Sequence, residues 1–431
     1  MVCIKKTNVL VFPAGEINSV ELHDALSHNV NIEVFGCSSF DRHGSYIFKN
    51  YKSGLPSITE DRFLNDFNKC IDFWNIDFIF PTHDTVALFL AKNQHALHAK
   101  VIVSPLHTAE ICRDKKKIYD LFSDCAFCPD IFYDFNKFPV FIKPRIGQGA
   151  KGAMLIKSQD SIPSNFVSNE YIISEFLPGD ELTVDCITDS SGNLCACLPR
   201  QRNRLLAGVC VSVCSVLPSK EILYIANEIN RRMVFMGMWY FQLKKSFDGL
   251  YKLLEISTRC AGTMCLSRAR GVNLPLLSIY AAQGKTLSVF ENPYVVKMDR
   301  TLISRYSIDY SYDTVYLDYD DTVVEDSCVC LPVIKFLYQC KNKGKKVILI
   351  SRHNEDHNDS IYESLKEHSI SESLFERIVT ISFEQNKCDF IQPEKAIFID
   401  NSYKERKLVH DTYGIPVFDV EGVEVLEDWR C

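Results

Sequence analysis

Apolar residues along the chain fall into three successive textures. In the first hundred residues, short unbroken apolar runs alternate with helix-like stretches. The runs at 8–12 and 76–80 stop at Pro13-Ala14-Gly15 and at Pro81-Thr82-His83-Asp84, a third lies at 101–103, and 16–27 reads as a helix. Unbroken apolar runs that end in glycine, proline or polar loops before helices are the pattern of strands buried on both faces, so a parallel sheet is predicted. Ligands at such sheets lie beyond the strand C-termini, which makes Gly15, His83 and Asp84 candidate pocket residues.

From 108 onward short strands dominate, at 140–143, 153–156, 171–176, 182–187, 208–216, 239–244 and 250–256, with one helix at 220–234. This predicts an α+β, largely antiparallel region. After the polar stretch 299–313, alternation returns with strands at 314–317, 346–350, 377–381, 396–399 and 416–420, the pattern of a compact α/β domain. A chain of 431 residues is too long for one core. Three domains are expected, at 1–107, 108–305 and 312–431.

Composition narrows the partners. A formal charge of −7 and a pI near 5.9 argue against nucleic acid or an anionic membrane. No run approaches the roughly 20 apolar residues of a membrane span, and the run 9–14 is shorter than a signal peptide. Among 18 cysteines only Cys125 and Cys128 form a CxxC pair, with no second pair at zinc-ligand distance. The others sit singly in apolar runs, as core cysteines do in a reducing compartment. A cytoplasmic protein acting on small molecules is expected.

Two groups of motifs carry chemistry. Phe141-Ile-Lys143-Pro144 leads into Arg145-Ile-Gly147-Gln-Gly149-Ala-Lys-Gly152. Glycines let backbone N–H groups approach phosphate oxygens, and a strand lysine offsets their charge. Next, Tyr171-Ile-Ile-Ser-Glu175-Phe176-Leu177-Pro-Gly-Asp-Glu181-Leu-Thr-Val-Asp185 closely resembles the hinge of ATP-grasp enzymes, a strand, a Pro-Gly turn and a second strand that clasp adenine and ribose. Phe241-Gln242-Leu-Lys244 and Leu254-Glu255-Ile-Ser257-Thr-Arg259 resemble the family's paired metal strands, and Asp114-Lys115 its other phosphate-binding position. The resemblance, strongest to the carbamoyl-phosphate-synthase-like branch, runs over about 110–275. It implies that ATP is held by Lys115, Lys143, Gly147, Gly149, Glu175, Phe176, Leu177 and Glu181. It also implies Mg²⁺ on Glu255 and Gln242, with Ser257 where the family has asparagine. Arg259 would clamp a substrate carboxylate. The activity implied is ATP-dependent joining of a carboxylate to an amine or ammonia. The serine at 257 keeps open a second reading, a nucleotide-responsive module without ligation.

The last domain carries Val315-Tyr-Leu-Asp318-Tyr-Asp320-Asp-Thr322 at a strand end. This resembles the Asp-x-Asp-x-Thr motif of the haloacid dehalogenase superfamily, and Ser351, Lys387 and Asp400-Asn401 follow in family order. The resemblance implies a Rossmann-like phosphatase domain with Asp318 as nucleophile, Asp320 as general acid/base, Ser351 on the phosphoryl group and Lys387 neutralising charge. Mg²⁺ would rest on Asp318, Asp320 and Asp400. Roughly 30 residues separate Asp318 from Ser351 and a similar number separate Ser351 from Lys387, too few for a cap domain, so a capless site for a phosphate ester is expected.

Overall fold

The computed structural model describes residues 6–147, 149, 151–164, 166–206, 208–356, 359–428 and 430. The chain divides into two compact units, 1–302 and 303–431.

The first unit begins with a five-stranded parallel sheet in the order Asn50–Lys52, Ile32–Cys37, Thr7–Phe12, Phe78–Pro81, Lys100–Val101. Thr7–Phe12 is central because all of Val9, Leu10, Val11 and Phe12 are buried, leaving no face for water. The strands Ile32–Cys37 and Asn50–Lys52 were not anticipated, since Glu33 interrupts one apolar run and the other is short and polar. Their polar groups meet across the edge, where Asn50 Nδ2 donates to Glu33 Oε1 at 3.1 Å. Gly36 is needed there: a Cβ would lie 2.6 Å from the Phe48 ring.

Two antiparallel sheets complete the unit. The smaller has the order Ile131–Phe132, Tyr171–Glu175, Val140–Pro144, Met154–Ile156. The larger runs Tyr251–Ser257, Gly237–Lys245, Glu181–Thr188, Leu194–Leu206, Val209–Ser215, Lys297–Asp299. Its outer face is covered by helix Lys220–Arg232, whose Ile222, Ile225, Ala226 and Ile229 pack into the cluster of Trp239, Phe241 and Leu243. Each of the three isoleucines contributes about 1.5–3 kcal/mol on burial. Ser219 caps the helix, accepting from the Ile222 N–H at 3.2 Å.

The long strand Leu194–Leu206 is absent from the sequence-based expectation because Pro199 and three arginines break its apolar pattern. Across the sheet each arginine meets a carboxylate: Arg200 with Asp185, Arg202 with Glu181, and Arg204 with Asp299. Cross-strand charge pairs make a strand of residues that look unsuited to one.

The second unit is a parallel sheet in the order Arg377–Thr380, Lys346–Ser351, Thr314–Leu317, Ala396–Ile399, Val417–Phe418. Between strands Thr314–Leu317 and Lys346–Ser351 lie a small hairpin, Val324–Glu325 with Cys328–Val329, and helix Leu331–Asn342. Among the described residues, no helix is long and apolar enough to cross a membrane.

Candidate functional site

Within the first unit a cavity of about 1140 Å³ is walled by the two antiparallel sheets and by loops at the C-terminal ends of the parallel strands. Lys115, Lys143, Gly149, Glu175, Phe176, Leu177, Glu181, Gln242, Glu255 and Arg259 all line it. Gly147 and Ser257 line a smaller adjoining recess with Asp84, Arg113 and Glu255. Gln148 and Ala150 of the glycine segment lie outside the described residues.

Alternation along the strands produces this wall. Glu181, Thr183 and Asp185 share one face of their strand, and the register sets Lys244 beside Glu181 and Gln242 beside Thr183. On the next strand Glu255 lies opposite Gln242 and Ser257 opposite Tyr240. Among the described residues, neither the Glu255 carboxylate nor the Gln242 amide has a hydrogen-bond or ion-pair partner. Two unpaired oxygen-bearing side chains side by side in a cavity fit a hard divalent cation such as Mg²⁺.

Lys143 is buried, and its ammonium donates to the Tyr119 hydroxyl and to the Leu254 carbonyl at 3.3 Å. Burial, reinforced by repulsion from Lys115, brings its pKa down to about 7. Lys115 opens helix Lys115–Leu121, which Asp114 caps through the Lys116 N–H at 2.9 Å. Asp114 also holds Arg145 at 2.5 Å. Lys115 Nζ and Arg113 Nη1 each lie 3.4 Å from the Gly147 carbonyl, so two cations gather at the glycine segment.

Several predicted residues have partners that sequence did not suggest. Glu175, expected at adenine, accepts from the Asp130 N–H at 2.9 Å and faces Lys252 at 3.8 Å. Glu181, expected at ribose, is paired with Arg202 and stands 3.8 Å from Lys244. Ser257, expected on a metal, donates its hydroxyl to Asp84 Oδ1 at 2.7 Å. Arg259, expected on a substrate carboxylate, donates to Asp84 Oδ2 at 2.7 Å and to the Cys260 carbonyl at 3.0 Å. Burial opposes ionisation of Asp84, but the charge and hydrogen bond of Arg259 and the hydroxyl of Ser257 outweigh it and hold the carboxyl at about 2. Asp84 begins helix Asp84–Lys92 beyond the parallel sheet, so it locks that sheet to the Glu255 strand.

In the second unit, Asp318, Ser351 and Asp400 stand at or just beyond the ends of adjacent parallel strands, paired through Leu317 with Leu349 and Ile399. Lys387 lies between two carboxylates, 2.7 Å from Asp318 and 2.6 Å from Asp400. Burial first, then repulsion from Asp400, pushes the Asp318 carboxyl up to about 7. Burial works against the Lys387 charge, yet the two aspartates outweigh it and raise its pKa. The Lys387 ammonium occupies the position between the two carboxylates, and among the described residues no group of three or more His, Cys, Asp or Glu side chains is placed to hold a metal ion. Ser351, expected on a phosphoryl group, donates to Asp320 Oδ2 at 2.9 Å. His353, not anticipated, meets Asp320 Oδ1 at 2.6 Å through Nδ1. The only sequence cue for His353 was its place two residues after Ser351.

Residues 168–305 match the family model described as "ATP-grasp in the biosynthetic pathway with Ter operon". Solved structures share the architecture at low identity. Biotin carboxylase from Campylobacter jejuni is 14% identical with a TM-score of 0.55, over 67% of this chain and 73% of that one. N5-carboxyaminoimidazole ribonucleotide synthetase from Thermotoga maritima is 16% identical with a TM-score of 0.53, over 71% and 83%. An L-amino acid ligase from Bacillus licheniformis is 14% identical with a TM-score of 0.51, over 64% and 74%. The chain spans 29% of the length of pyruvate carboxylase from Rhizobium etli. No curated protein sequence matches it. The first unit is an ATP-grasp fold.

Proposed function

We propose that the chain is a bifunctional enzyme. Its first unit would join a carboxylate to an amine or ammonia at the expense of ATP, and its second would hydrolyse a phosphate monoester. The observation that carries the ligase reading is the convergence of Lys115, Lys143, Gln242 and Glu255 on one cavity in an ATP-grasp fold. Low identity to the ligases above supplies the fold, and the reaction rests on this residue set.

ATP would lie between the two antiparallel sheets, its phosphates against Lys115, Lys143 and the glycine segment. Mg²⁺ on Glu255 and Gln242 would neutralise the phosphate charge. A substrate carboxylate oxygen attacks the γ-phosphorus and ADP leaves. The amine nitrogen then attacks the acyl carbon, its proton passes to the departing phosphate, and an amide remains. The chain's own task is positioning and charge neutralisation. Lys143→Ala tests the nucleotide reading. Losing one charge-assisted contact costs about 1.5–3 kcal/mol, roughly ten- to hundredfold in ATP affinity, and unchanged calorimetric affinity would exclude it.

For the second unit, the Asp318–Lys387–Asp400 cluster supports a phosphatase. An Asp318 oxygen attacks phosphorus, the ester P–O bond breaks, and the leaving alkoxide takes a proton from Asp320. Water, giving its proton back to Asp320, then releases phosphate from the aspartyl-phosphate. Lys387 would offset the charge, and Mg²⁺ would be held by Asp318, Asp320 and Asp400.

One observation favours a second reading, a phosphatase regulated by a nucleotide-binding module without ligation. Ser257 and Arg259, which would serve metal and substrate, are both engaged by Asp84. Under that reading ATP changes the phosphatase rate and no carboxylate releases ADP.

A further inference from the structure

Tyr119 has no role in the activities above, yet its hydroxyl lies where three elements of the nucleotide cavity meet. It is buried on helix Lys115–Leu121, the helix that Lys115 opens. Its hydroxyl donates to the Leu254 carbonyl at 2.8 Å, on the strand of Glu255. It accepts from the Lys143 ammonium, which also lies 4.9 Å above its ring. Burial, with Cys128 and Glu255 nearby, raises the phenol pKa well above its ordinary value, so the hydroxyl stays protonated and the two hydrogen bonds keep these directions.

We infer that Tyr119 is a positioning residue that keeps the buried Lys143 ammonium charged and aimed before nucleotide arrives. This rests on the ATP-binding reading. Lys143 is otherwise poorly provided for. Lys115 on the same helix repels it, and Glu181 and Glu255 attract it from two strands without touching it. Cys128 lies behind Tyr119, and the second hydrogen bond, to Leu254, is long. Of its two hydrogen-bond acceptors among the described residues, the Tyr119 hydroxyl is the nearer. It also ties the ammonium to the backbone that presents Glu255. A cation–π contact alone survives in phenylalanine; the acceptor oxygen does not.

The consequence is a dependence on pH that a merely structural tyrosine would not give. Phosphate binds the charged lysine. Affinity is therefore full below the pKa of Lys143 in the free protein and falls as pH rises through it. Removing the acceptor lowers that pKa, so the fall begins at lower pH. A shift of about one unit would make Tyr119→Phe about tenfold weaker than wild type at pH 8 and within about twofold at pH 5.5. The measurement is calorimetric binding of adenosine β,γ-imidotriphosphate with Mg²⁺ to the full chain at both values, for wild type, Tyr119→Phe, Tyr119→Leu and Lys143→Ala. Titration of the nucleotide's own phosphate is common to all four and cancels in the ratios. The inference predicts a loss confined to high pH in both tyrosine variants. An equal loss at both pH values, or no loss at either, overturns it. If Lys143→Ala binds like wild type throughout, the ATP reading itself fails; if only Lys143→Ala weakens binding, Tyr119 alone has been misassigned.

Discussion

Replacing Asp84 by asparagine removes a negative charge from the junction between the parallel sheet and the Glu255 strand. The carboxyl is held at about 2 against an ordinary 3.8. At 1.36 kcal/mol per unit, the folded state gains about 2 kcal/mol from its ionised form. Little of this is lost to solvent, because the side chains of Asp84 and Arg259 are 22% and 13% exposed. Asparagine keeps an acceptor for one donor, so Asp84→Asn should lose about that amount at neutral pH. Asp84→Ala, which leaves Arg259 buried without a counter-charge, should lose about 3–5 kcal/mol. The sign follows from a depressed acid pKa. The stabilisation is fully present above the unfolded value and disappears as pH falls from about 4 to about 2. Two compact units make a single unfolding midpoint a poor readout. Amide hydrogen exchange over Asp84–Lys92 and Tyr251–Ser257 is better, because both elements depend on the junction. Wild type and Asp84→Asn should differ clearly at pH 7 and converge towards pH 2.5. Equal protection at pH 7, or a difference that persists unchanged in acid, would refute the reasoning.

Other outcomes follow from the phosphatase proposed for the second unit. Asp318→Asn should abolish hydrolysis of a small phosphate ester while circular dichroism stays unchanged; robust turnover by that variant rules out an aspartyl-phosphate. Chelation with EDTA should stop the same reaction and added Mg²⁺ restore it, and Asp400→Asn should raise the Mg²⁺ concentration needed by tenfold or more. Lys387→Met should cost at least a hundredfold in kcat, since the two carboxylates it separates would face a phosphate with no neutralising cation (an oxyanion donor of this kind contributes about 3–4 kcal/mol).

What was legible in the sequence was local. The hinge around Pro178-Gly179, the strand of Lys143 and the facing strands of Gln242 and Glu255 each depend on a few consecutive residues, and each lines the cavity as that pattern suggests. Asp318, Ser351 and Asp400 in the second unit were likewise legible, because the ends of adjacent parallel strands bring them together. What escaped was set by pairing across large separations. Asp84 was legible as a candidate pocket residue, but it lies 173 residues from Ser257 and 175 from Arg259, so nothing in the sequence near those two announced that it engages both. The arginine-rich strand Leu194–Leu206 looked unlike a strand because its partners, Asp185 and Glu181, lie on a neighbour. His353 was missed because one histidine after a strand carries no signal until Asp320 is seen beside it.

The central claim is that the cavity of the first unit performs ligation. The most direct measurement is ADP release from ATP by the full chain in the presence of pooled carboxylates and amines, with wild type and Glu255→Ala side by side. The account predicts ADP that appears in wild type only when a carboxylate pool is present. Glu255→Ala should abolish it while hydrolysis of a small phosphate ester, dependent on Asp318 in the other unit, stays near wild type. Absence of carboxylate-dependent ADP from both proteins, with ATP instead changing the phosphatase rate, would contradict ligation and leave the nucleotide as a regulator.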